Sequence, residues 1–266
     1  MTNTTTTPHI AATKSAIIVG ASSGIGAALA RTLAKRGYTL ALIARRQDQL
    51  DQLCSEINAA TGNGNDLPVA RSYQHDVREY DQAPALFARI LADFGAGAQL
   101  RLVVYNAGVL PKSTEGVWTF DEERDMLETN LLGAVRWLDL AADVLAKSGR
   151  GAIVGVSSVA GDRGRNGNSV YQASKAGLSV YLESLRYRLR RRGVRVVTIK
   201  PGYVATSMIA GMKLPKPLVT SAETVAARIV RASEHGAGEV YVPRYWGALM
   251  WIMRHLPSAV MARLPV

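Results

Sequence analysis

The chain's 266 residues suffice for one large α/β domain with a full hydrophobic core and exclude two comfortable ones. Its composition, 48% hydrophobic and 20% charged, is that of a soluble globular enzyme; the lone Cys54 excludes an intramolecular disulfide and a thiolate-bound zinc, so no metal site is expected. A net charge of +11 and a pI near 10.0 fit an anionic partner, but no aromatic-plus-basic platform or zinc finger accompanies them, so nucleic acid is not expected.

Residues 1–14 are polar and Thr-rich and read as a disordered extension, because no apolar run forms a secretion signal. The domain proper is expected over 15–243. SAIIVGA at 15–21 is a short buried strand, and GIGAALARTLAKRG at 24–37 is a helix with small residues on its inner face. The joint between them holds Gly20, Ser22, Ser23, Gly24, Ile25 and Gly26. Glycines there permit a tight turn and let the backbone approach a pyrophosphate, whose charge meets free N–H groups at the helix start. The alternative is a purely structural turn.

YTLALIA at 38–44 is the second strand and leads into Arg45-Arg46 and the helix RQDQLDQLCSEINAA at 46–60. An acidic residue at that strand end would bind a ribose 2′-hydroxyl, but Ala44 stands there with Arg45 behind it. A guanidinium suits a 2′-phosphate, which points to NADP(H); the alternative is that both arginines merely begin the next helix. PVARSYQHD at 68–76 is a strand, 80–94 a helix and QLRLVVYNAG at 99–108 a fourth strand. A long helix is expected over 121–147, the strand GAIVGVSS over 151–158 and a helix over 171–192.

That last helix ends in Arg186, Arg188, Arg190, Arg191 and Arg192, which read as a solvated C-terminus capped by Gly193. RVVTIKPG at 195–202, a helix near 222–233 and the strand EVYVP at 239–243 complete the series. Helices alternating with continuously apolar strands imply a parallel sheet covered on both faces. The expected fold is a single Rossmann-type, doubly wound α/β domain with a seven-stranded parallel sheet flanked by helices.

Tyr171 and Lys175 stand one helical turn apart and so share a face. Free tyrosine is a poor acid–base at neutral pH, and an ammonium one turn away is expected to lower its pKa. Carbonyl reduction needs such a group, because the oxygen gains a proton as hydride reaches the carbon. Ser157-Ser158 ends the fifth strand, where ligands bind in parallel sheets, and a serine hydroxyl there can bond a substrate oxygen.

With these residues in this order, the chain resembles the short-chain dehydrogenase/reductase family over roughly residues 15–243. The resemblance implies that Tyr171 is the general acid/base, that Lys175 binds the nicotinamide ribose and lowers the tyrosine pKa, and that Ser158 orients the substrate oxygen. It implies that Asn130 helps hold a water in a proton relay through Lys175. Asp76 with Val77 would contact the adenine, while Asn106, Ala107, Gly108, Pro201, Gly202 and Val204 would line the cofactor cleft and Thr206 would hold the carboxamide. One departure stands out: the family's usual Asn-Asn-Ala-Gly is Tyr105-Asn106-Ala107-Gly108. A homo-oligomer built on the long helices is implied as well.

The loop after the sixth strand holds Met208, Ile209, Met212 and Leu214, which suits a hydrophobic substrate. Residues 244–266 form a tail with Trp246 and Trp251 bordered by Arg244, Arg254, His255 and Arg263. It is too short and interrupted to span a bilayer, so a cytoplasmic protein is expected. The tail either docks peripherally on the inner membrane face through 244–264, lids a hydrophobic pocket, or packs on the domain or a second subunit. The leading expectation is a ketoreductase acting on a hydrophobic or lipid-linked carbonyl. The alternatives are an NADP-dependent alcohol dehydrogenase running oxidatively and a non-catalytic NADP-binding sensor.

Overall fold

Strand β1 (Thr13–Val19) is buried from Ser15 onward and pairs in parallel with β2 (Thr39–Ala44) on one side and β4 (Ala98–Tyr105) on the other. The structure, a computed structural model, describes residues 13–61, 68–95, 97–113, 118–212, 214–236 and 238–263. The extension expected over 1–14 lies outside them except for Thr13 and Lys14, which belong to β1 because they pair with Ala98 and Gln99. Outward from this centre follow β3 (Ala70–Gln74) on β2, then β5 (Ala152–Val156) and β6 (Arg195–Pro201) beyond β4. The two-residue strands β7 (Tyr203–Val204) and β8 (Val219–Thr220) form a separate parallel ribbon that sequence reasoning did not anticipate. Strand β9 (Glu239–Val242) completes the main sheet, whose order is β3-β2-β1-β4-β5-β6-β9 with every pairing parallel.

Both faces of the sheet are covered, which is why the strands are continuously apolar. Helices α1 (Gly24–Ala34), α2 (Gln47–Thr61) and, late in the chain, α7 (Ala222–His235) cover one face and share a core with Ile18, Leu42, Val104 and Val154. The other face carries α3 (Ala83–Phe94) and the pair beyond β4, packed on Ile17, Val103 and Ile153 around the fully buried Trp137. The chain reverses direction across the sheet between β1 and β4, and the C-terminal ends of these strands open a crevice there.

The helix expected over 121–147 runs from Phe120 to Ser148 but is not α-helical throughout. It divides into α4 (Phe120–Leu127), opened by a Thr119/Glu122 capping box, and α5 (Gly133–Ser148), with a π turn at Glu128–Leu132 between them. One extra residue per turn shifts Asn130 and Thr129 inward and alters the backbone bonding around them. Helix α6 (Ser169–Leu189) follows β5, and its arginines end as expected at a left-handed Gly193. Arg186 turns back to bond Val196 O, Thr198 Oγ1 and Gly238 O, and Arg188 pairs with Asp139 at 2.8 Å, so much of the run is structural.

Past β9, the segment read as a tail folds as α8 (Tyr245–His255) and the short α9 (Ser258–Met261). Trp246, Met250 and Met253 are buried on Val159, with Leu256 packed against them. Trp246 and Leu256 therefore pack on the domain, whereas Trp251 does not: 60% of it is exposed.

Candidate active site

Gly20 leaves β1 with φ +87° so that the chain can turn over the sheet end, and a Cβ there would collide with the backbone of Ala107. Asn106 locks the two strand ends together: its N–H donates to Val19 O at 2.8 Å and its Nδ2 to Gly20 O at 2.8 Å. Helix α1 then starts at Gly24 from Ser23, whose side chain makes no capping bond, and no acidic residue occupies its first turn. Its end therefore keeps backbone donors free and positive potential intact for an anion. Ser22, Ser23, Gly24 and Ile25 line a cleft of about 1190 Å³ together with Gly108, Val77, Pro201, Gly202, Val204 and Thr206. Gly26 lies behind the wall, where it lets the helix approach Gly20 O and Ala21.

Arg45 lines the cleft, with its Nη1 3.9 Å from Asp76 Oδ2. Arg46, which sequence reasoning left in the background, reaches the turn itself: its Nη2 donates to Ser22 Oγ at 2.9 Å and Ser23 Oγ at 2.8 Å. Asp76 is engaged by Arg78 Nη2 at 2.7 Å, and the Arg78 and Arg45 guanidiniums hold its carboxyl below the usual range although burial opposes them. It is the neighbours of Asp76, His75 and Val77, that face the cleft.

At the other end, Ser158 follows β5 and Tyr171 and Lys175 stand on the first turns of α6. Ser158 and Tyr171 both line the cleft, where the Ser158 hydroxyl acts to lower the Tyr171 pKa, and the Ser158 Oγ accepts from Ala160 N at 3.1 Å. Lys175 is 4% exposed, its Nζ donating to Val156 O at 3.0 Å and lying 5.9 Å from the Tyr171 ring centroid. Burial pushes its pKa down to about 8. The expected lowering of the tyrosine is not what dominates: burial raises the Tyr171 pKa, and the Ser158 hydroxyl is what opposes it. Ser157 supports the strand end instead, donating to Lys175 O at 2.8 Å and bonding Ser179 Oγ at 2.8 Å.

Asn130 sits behind the cleft rather than in its wall. Its Oδ1 accepts from Val109 N at 2.7 Å, and its Nδ2 donates to Val109 O at 3.0 Å and Ser174 Oγ at 3.1 Å. The side chain thus clamps the strand-end loop to α6, next to the Lys175 ammonium. Tyr105 has a structural use: its hydroxyl donates to Thr129 O at 2.6 Å inside the π turn. Met208, Ile209 and Met212 line the cleft as expected, and Trp246 of α8 joins them. Trp246 belongs to the tail for which a lid over a hydrophobic pocket was one of three expectations, and nothing in the sequence shows that α8 folds back beside Gly202.

The residues present fit a dinucleotide. The turn would be filled by a Cβ at Gly20, a Cβ at Gly24 would meet Thr206 Cγ2 at 2.9 Å, and paired arginines face the adjoining strand end. Comparison with known proteins agrees with this geometry. Residues 14–215 match the short chain dehydrogenase family model. The chain is 34% identical to an uncharacterized oxidoreductase of Mycobacterium tuberculosis over 93% of its own length and 95% of the relative's. It is 32% identical to the ketoacyl reductase HetN of a Nostoc strain, covering 86% of this chain and 78% of HetN. Among solved structures, an actinorhodin polyketide ketoreductase with NADPH aligns at TM-score 0.75 and 25% identity, over 88% of this chain and 97% of that one. The 3-oxoacyl-[acyl-carrier protein] reductase of Brucella melitensis aligns at TM-score 0.72 and 28% identity, over 91% and 96%. The chain belongs to the short-chain dehydrogenase/reductase family of oxidoreductases.

Proposed function

We propose that the protein is an NADP(H)-dependent ketoreductase that interconverts a ketone and a secondary alcohol on a hydrophobic substrate, with Tyr171 as general acid. The observation that carries this reading is the convergence of Ser158, Tyr171 and a buried Lys175, whose Nζ lies 5.9 Å from the Tyr171 ring centroid, in the same cleft as an uncapped helix N-terminus. The NADP(H) bound to two of the relatives' structures, one of them similar in fold alone, and the ketoreductase names of others support it.

Gly20, Ser22, Ser23, Gly24 and Ile25 would hold the pyrophosphate, Arg45 and Arg46 the 2′-phosphate, and Lys175 with Thr206 the nicotinamide riboside. When bound, the cofactor supplies the hydride. The substrate oxygen sits between the hydroxyls of Ser158 and Tyr171, and Tyr171 gives it a proton as the carbon is reduced. A raised Tyr171 pKa keeps that proton on the phenol at neutral pH until it is needed. Lys175 then stands beside the phenolate and stabilises the charge left behind. The reverse sequence oxidises the alcohol with the same residues. Met208, Ile209, Met212 and Trp246 give the substrate end its apolar character. Exposed Leu132, Val180 and Tyr187 on the π turn and α6 suit a homo-oligomer of a cytoplasmic enzyme.

The test is NADPH oxidation across ketones from short aliphatic to lipid-like, with wild type beside Tyr171→Phe. Turnover should fall about 10²–10⁴-fold in the variant while NADPH binding persists, and longer chains should be preferred. Retained turnover in Tyr171→Phe would refute the acid assignment. Tight NADPH binding without turnover on any ketone would favour a sensor.

A further inference from the structure

Helix α8 has two apolar faces, and the fold uses one. Trp246, Met250 and Met253 are buried against the domain. On the rest of its circumference Tyr245, Leu249, Trp251 and Ile252 are exposed, and Val260 of α9 is exposed as well. Four large exposed apolar side chains on one eleven-residue helix mark a contact surface. The charges around them are of one sign: residues 244–263 include Arg244, Arg254 and Arg263 and no Asp or Glu. Lys216 extends the basic border, because Tyr245 donates to Pro217 O at 3.1 Å.

We infer that the outer face of α8 docks the protein on an anionic lipid surface. The combination is what an interfacial helix requires: a tryptophan and aliphatic side chains that sink to the headgroup–acyl boundary, ringed by cations that meet lipid phosphates. A second copy of this basic surface would instead bring like charges together, with no carboxylate on the helix to answer them. The helix is also anchored firmly enough to act as a foot. Arg163 donates to Arg254 O, Leu256 O and Ser258 Oγ, and Arg254 donates to Tyr241 OH, whose hydroxyl is bonded to the buried Asp162. Docking through this face would hold the cleft at the bilayer, since Trp246 on the same helix lines the cleft and Tyr245 holds the loop that carries Met208 and Met212. A greasy substrate would then reach the cleft from the lipid phase.

The experiment is co-sedimentation of the full chain with vesicles of phosphatidylcholine alone and of phosphatidylcholine mixed with phosphatidylglycerol, beside the double variant Trp251→Glu/Ile252→Glu. Both positions face solvent, so the variant should keep its melting temperature and its turnover of a small soluble ketone. Wild type should pellet with the anionic vesicles, less at high salt, and the variant's bound fraction should fall at least about tenfold. Tyr171→Phe should pellet like wild type, so failure of the ketoreductase reading and failure of this one are distinguishable. Absence of pelleting with anionic vesicles, or equal pelleting of the double variant, would overturn the inference. So would a wild type of twice the variant's mass in solution, which would assign the face to a second copy of the chain.

Discussion

At Arg45 and Arg46, neighbours in sequence, the side chains part company. Arg45 leans toward Asp76 at 3.9 Å, whereas Arg46 places one guanidinium nitrogen on both serine hydroxyls of the glycine-rich turn. A 2′-phosphate at this strand end would meet Arg46 already aimed over the turn, with Arg45 beside it. Arg46→Ala should therefore weaken NADPH binding by about 10–100-fold, the worth of a charge-assisted hydrogen bond, and leave NADH binding nearly unchanged. Arg45→Asp should weaken NADPH binding and improve NADH relative to it. Fluorescence titration with both nucleotides decides; equal losses for the two with Arg46→Ala would mean that Arg46 only shapes the turn. The sequence showed that cations replace the acidic residue here, because Ala44 ends an apolar strand. It could not show which arginine turns inward, since the bend from β2 into α2 carries no Gly or Pro to set it. Tyr171, Lys175 and Ser158 were legible for the opposite reason: helical spacing and a strand end leave them little choice of direction.

At the scale of elements, the alternation of strands and helices was readable from hydrophobic pattern, but the π turn in the long helix was not. Residues 128–132 read ETNLL, a run with good helical character, and one inserted residue hardly disturbs its periodicity. What fixes the π turn is a partner from another element. Tyr105, at the end of β4, donates to Thr129 O, and a Cβ at Gly133 would stand 2.6 Å from its hydroxyl and 3.0 Å from Val77 O. The departure from the family's usual asparagine thus comes with a helix that has made room for it. Removing the hydroxyl in Tyr105→Phe should cost about 1–3 kcal/mol, because Thr129 O is left buried without its donor. It should also lower kcat more than it raises the KM for NADPH, since the neighbouring Asn130 clamps Val109 and Ser174 beside Lys175. Gly133→Ala should be destabilising in wild type and less so in the Tyr105→Phe background, a coupling of about 0.5–3 kcal/mol. Strict additivity in urea denaturation of the four proteins would refute the link.

Over the whole molecule, a charge of +11 is spread so that cations meet the cleft at Arg45 and Arg46 and surround α8. No helix among the described residues is long and apolar enough to cross a membrane. Residues 244–263 looked separable in sequence because composition changes sharply after Pro243, yet contact between α8 and the strand ends is a long-range fact that no local pattern carries. Trp246 is 4% exposed and covers Gly202 and Val159, the latter directly following Ser158. Its indole N–H has no hydrogen-bond partner among the described residues, so its contribution is packing alone. Trp246→Ala should cost about 3–5 kcal/mol as a large-to-small change in a filled site. The cavity would open beside Ser158 and Gly202, so turnover of a hydrophobic ketone should fall as well. Trp251→Glu, on the outer face of the same helix, should stay within about 0.5 kcal/mol of wild type. Urea denaturation of the two variants compares the faces directly. A Trp246→Ala protein as stable as wild type would mean that α8 adds no stability to the domain, and its place in the cleft wall would have to be given up.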